Sequence, residues 1–76
     1  MNAMKLSLIG QEVLNLAKGA NFDELAAKMH VNAKTFRRIC YGELALTRTI
    51  CLALVAEFGG KKTAWTRLDN DFWGEI

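Results

Sequence analysis

At 76 residues the chain has room for one domain, spanning 1–76, and for a thin core. Apolar residues make up 51% and charged residues 24%, the balance of an ordinary soluble domain and not of a disordered one. The longest apolar run, Ile50 to Ala56, falls far short of the ~20 residues that span a bilayer, so no membrane partner is expected. Met1 to Gly10 holds no long apolar stretch with a cleavage site, so no secretory leader is expected either. Two cysteines, Cys40 and Cys51, and a single histidine, His30, make neither a disulfide framework nor a metal site. They read as reduced, small core side chains in a cytoplasmic protein without metal or cofactor.

Charge is unevenly spread. Residues 28–62 hold seven bases (Lys28, Lys34, Arg37, Arg38, Arg48, Lys61, Lys62) against only Glu43 and Glu57, while both flanks are net acidic. A basic middle in a small domain suits a polyanionic partner.

Hydrophobic periodicity and short polar or glycine breaks predict five helices and no strands. The first runs from Ser7 to Lys18, with Ile9, Val13, Leu16 and Ala17 at helical spacing and Gly19 closing it. The second follows Asn21, which with Glu24 three residues on has the form of a capping box. Phe22, Leu25, Ala26 and Met29 share its inner face, and Asp23, Glu24, Ala27 and Lys28 face away. The third runs from Ala33 to Tyr41 behind Asn32. It sets Phe36, Ile39 and Cys40 on one side and Lys34, Arg37, Arg38 and Tyr41 on the other. The fourth runs from Thr47 to Phe58 and is apolar almost all round, so it is expected to be covered on two sides. The fifth runs from Thr63 to Phe72, with Trp65, Leu68 and Phe72 in one stripe and Trp73 beside it.

Only His30, Val31 and Asn32 separate the second and third helices. So short a turn forces a steep crossing, the geometry of a helix-turn-helix over residues 22–42. The outward face of the third helix then carries groups suited to nucleic-acid base edges, since arginine pairs bidentately with guanine and lysine reaches the same acceptors. Lys34, Arg37 and Arg38 are placed for base contact, with Asn32 and Ala33 at the opening of the helix beside them. Arg48, in the first turn of its helix, gains nothing from the helix dipole, and a phosphate contact would account for it. Catalysis has no foothold: there is no glycine-rich phosphate loop and no nucleophile with an evident base. Asp69 and Asp71, two apart on a helix, point in different directions.

The stretch F-D-E-L-A-A-K-M-H-V-N-A-K-T-F-R-R-I-C-Y-G resembles the lambda-repressor/Cro-like (XRE) helix-turn-helix family. Ala26 matches the small residue where the two helices touch, and Val31 the apolar residue of the turn. Phe36 and Ile39 match the buried pair of the recognition helix, and Gly42 the glycine after it. The family usually has glycine in the turn, at a position that often has a positive φ, and this chain has His30. The segment from Leu44 to Trp73 is similar to the end of HigA-type antitoxins in its threonine-capped Leu/Ala helix and its late aromatic residues. It departs from them at Lys62 and Thr63, where a proline is frequent, and at Asp69, where a glutamine is frequent.

The resemblance implies an all-α, five-helix lambda-repressor-like domain that binds double-stranded DNA through the major groove. Asn21, Tyr41, Thr47, Arg48, Lys61 and Lys62 are its expected phosphate contacts. A single recognition helix reads few base pairs, so a homodimer on a palindromic operator is expected. The helices over 47–73 would supply its interface through Leu52, Val55, Ala56, Trp65 and Trp73. The expected function is an autorepressor in a bacterial or phage setting. The alternative is a protein-interaction module, such as an antitoxin that neutralises a cognate toxin, in which DNA binding is secondary.

Overall fold

The computed structural model describes residues 6–74. Residues 1–5, where the expected absence of a leader would be judged, and residues 75–76 lie outside them. Among the described residues the chain is all-helical: α1 (Leu8–Leu16), α2 (Phe22–Met29), α3 (Ala33–Cys40), α4 (Arg48–Phe58) and α5 (Lys62–Gly74).

Local chemistry explains most of the helix starts. Ser7, Asn21, Asn32 and Thr47 each lie in extended backbone, and each side-chain oxygen accepts the N–H three residues on. At α2 the box is reciprocal: Asn21 Oδ1 accepts from Glu24 N–H at 2.7 Å, and Glu24 Oε1 accepts from Asn21 N–H at 3.5 Å. The α1 end falls earlier than its hydrophobic pattern implies, at Leu16, and α5 runs on to Gly74.

The core takes Ile9 and Val13 from α1, Phe22, Leu25 and Ala26 from α2, and Phe36, Ile39 and Cys40 from α3. Ile50, Cys51 and Leu54 of α4 and Trp65 of α5 join it, and Phe72 of α5 is buried as well. Phe22 meets Phe36 edge to face, with ring centroids 5.9 Å apart. Leu16, placed by its spacing on the inner face of α1, is 49% exposed, as it stands in the last turn of a helix already ending. On α4, Leu52 and Ala56 face out while Ile50, Cys51 and Leu54 face in. Among the described residues no helix is long and apolar enough to cross a membrane.

Candidate nucleic-acid interface

α3 owes its orientation to the turn before it. His30 takes φ 60° and ψ 40°, and it is the only non-glycine residue at positive φ among those described. This left-handed step lets His30 N–H bond Ala27 O at 3.2 Å and Val31 N–H bond Ala26 O at 3.0 Å. That is a Schellman closure, normally built on glycine because a Cβ makes the left-handed conformation costly. Asn32 then starts α3, its Oδ1 accepting from Thr35 N–H at 2.9 Å.

Phe36, Ile39 and Cys40 are fully buried, and Lys34, Arg37 and Arg38 on the other side are exposed. The two arginines lie in the last turn, where the helix dipole favours cations. Asn32 is exposed and Ala33 half-buried at the opening of the helix. Tyr41 departs from its expected place on the outer face. The helix ends at Cys40, and Tyr41 is its cap, half-buried with its ring edge-on to Phe22 at 5.4 Å. Burial pushes the Cys40 thiol up to about 12, so it stays neutral at ordinary pH.

The far end of α3 is held by residues that sequence reasoning did not single out. Ser7 is 4% exposed and serves two helices. It caps α1 by accepting from Gly10 N–H at 3.0 Å. Its hydroxyl also points at the terminal carbonyls of α3, Ile39 O at 2.8 Å and Cys40 O at 3.1 Å, and its own N–H donates to Cys40 O at 2.8 Å. Gly10 lets the two helices meet, since a Cβ there would overlap the Cys40 carbonyl. A serine three residues before a glycine is too common a pattern to have shown this. The partners are 32 and 33 residues away.

The arginines of the exposed face are each matched by a carboxylate. Arg37 Nε lies 3.4 Å from Asp23 Oδ1, and Arg38 Nε lies 3.8 Å from Glu43 Oε1. Lys34 has no ion-pair partner among the described residues.

The expected phosphate contacts fall into separate groups. Asn21 and Tyr41 border one shallow recess, and Tyr41 also borders a second with Arg37 and Arg38. Thr47, Arg48 and Lys62 border another, because the first turns of α4 and α5 meet there: Cys51 Sγ lies 3.7 Å from Lys62 O. Lys61 stands apart, in a recess shared with Glu12 of α1 and Asp71 of α5.

The expected interface residues also divide. Leu52 is 44% exposed, Ala56 is exposed, and Val55 is half-buried. Trp73 is half-buried, its Nε1 donating to Asp69 Oδ1 at 3.0 Å. The same Asp69 oxygen accepts from Leu46 N–H at 3.0 Å, which ties α5 to the loop after α3. Trp65 does not fit the expectation. It is 4% exposed, with Nε1 donating to Gly59 O at 3.3 Å, and the chain's own core leaves it almost no surface for a second subunit.

Comparison with protein-family models, curated proteins and solved structures finds no match to this chain.

Proposed function

We propose that this chain is a sequence-specific DNA-binding regulator of the lambda-repressor-like helix-turn-helix type, with α3 as the recognition helix, and not an enzyme. The reading rests above all on how α3 is mounted. One face is sealed in the core and both ends are tied down, at the left-handed turn and at Ser7. The other face offers Lys34, Arg37 and Arg38 to solvent. A rigid helix with an outward basic face suits insertion into a major groove, where side-chain donors read base edges.

In this reading Asn21 and Tyr41 contact phosphate on one flank of α3, and Thr47, Arg48 and Lys62 contact it beyond the following loop. Two copies joined through Leu52 and Ala56 bind half-sites about one DNA turn, ~10 bp, apart. Footprinting on the DNA upstream of the protein's own gene tests this. A protected palindrome is expected, with Arg37→Ala and Lys34→Ala each weakening binding by about 1–3 kcal/mol. Unchanged affinity in both variants would refute the groove assignment.

A second reading, a module that caps another protein, draws on the exposed Leu14 and Leu16 of α1, which are 38% and 49% accessible. Its test is co-purification with the product of a neighbouring toxin-sized gene.

A further inference from the structure

Asp23 lies on α2, outside the expected contact set, yet it faces the arginine at the centre of the α3 basic face. We infer that Asp23 is a specificity-determining residue that buttresses Arg37 for reading guanine, an inference that rests on the DNA-binding reading above.

The geometry favours a buttress over simple neutralisation. The carboxylate meets Arg37 at Nε. The nearest approach is to Nε and not to a terminal nitrogen, and it is an ion pair without a hydrogen bond, so the end-on fork that pairs with guanine O6 and N7 is not engaged by it. The acid is also rigidly mounted. It lies inside the capping box, between Asn21 and Glu24, and adjoins Phe22, which is 7% exposed and packs edge-on against Phe36 of α3 and Tyr41. The distance between Asp23 and the base of Arg37 is therefore set by core packing. Glu43, the partner of Arg38, stands farther off, at 3.8 Å, in the turn that closes α3, where its N–H bonds Arg38 O at 2.8 Å.

A long arginine side chain loses rotamer freedom when it docks on a base, and holding it beforehand lowers that cost. A fixed carboxylate beside the groove also repels phosphate, and in a non-specific complex no guanine contact offsets that repulsion. Losing Asp23 therefore weakens the chosen site while leaving other DNA bound equally well or better. The pair is solvent-exposed, at 52% for Arg37 and 60% for Asp23, so the effect is modest.

The test starts from duplexes selected out of a randomised library by the wild-type protein. Binding to the best selected duplex and to a scrambled duplex of equal length is measured for the wild type, Asp23→Asn, Arg37→Ala and the double variant. Asp23→Asn is expected to bind the selected duplex about three- to five-fold more weakly, the scale of one exposed ion pair. It is expected to bind the scrambled duplex as well as the wild type or more tightly. In the Arg37→Ala background the same substitution is expected to cost nothing on the selected duplex. Equal shifts on both duplexes, in either direction, overturn the inference, as does a selected-site loss that persists without Arg37. A wild-type protein that enriches no duplex overturns the DNA-binding reading itself and this inference with it.

Discussion

Ser7 offers a test of whether α3 is held from both ends. Its hydroxyl accepts from Gly10 N–H and donates towards Ile39 O and Cys40 O, in a place only 4% exposed. Ser7→Ala removes the cap and strands the Gly10 N–H away from water. Cys40 O keeps its bond from Ser7 N–H, and Ile39 O keeps a longer one from Gly42 N–H at 3.3 Å. Losing a cap costs about 1 kcal/mol, and a stranded buried donor brings the total to about 2–3 kcal/mol. For a domain of this size that lowers Tm by about 8–24 °C. Ser7→Asp is the sharper probe. Asp and Ser are equivalent at an ordinary N-cap. Here a carboxylate accepts from Gly10 but has no proton to give, and it would face two carbonyl oxygens. Ser7→Asp is therefore expected to be at least as unstable as Ser7→Ala at neutral pH. Thermal and urea unfolding followed by circular dichroism measure both. A Ser7→Asp protein as stable as the wild type would show that Ser7 is only a cap and that α3 gains nothing from it.

Four further outcomes are expected. His30→Gly relieves the left-handed cost but adds freedom to the unfolded chain, so it raises stability by no more than about 1 kcal/mol; a loss in urea unfolding would show that the imidazole makes a needed contact. Arg48→Ala weakens binding to specific and random duplexes about equally and lowers the salt-dependence slope by about one unit; a loss confined to the specific duplex would make Arg48 a base reader. Leu52 is already 44% exposed, so Leu52→Glu leaves the fold intact and, in sedimentation, yields a monomer that binds the operator only at its non-specific level; a dimeric variant would move the interface off α4. The Cys40 thiol is raised from 9.0 to about 12 in the folded state, so its contribution to stability is complete below pH 9 and is lost as pH rises from there towards 12; Cys40→Ala should flatten that part of the stability curve, and an unchanged curve would refute the assignment.

The helix pattern was legible in the sequence because its causes are local. A cap acts across three residues, so Asn21, Asn32 and Thr47 mark the starts of α2, α3 and α4 without reference to the rest of the fold. The two faces of α3 were legible too, since Phe36 and Ile39 against Lys34, Arg37 and Arg38 is a matter of period. What the tertiary structure alone decided depends on partners distant in the chain. Trp65 and Leu16 both looked like members of an apolar stripe. One is spent inside the core beside Phe58 and the other is left in water, because burial follows the neighbouring helices and not the pattern alone. The polar ties are of the same kind: Ser7 to the end of α3, Asp23 to Arg37, and Asp69 to Leu46. Each joins residues 14 or more apart in the chain, where spacing holds no information, and only packing brings a donor within reach of its acceptor.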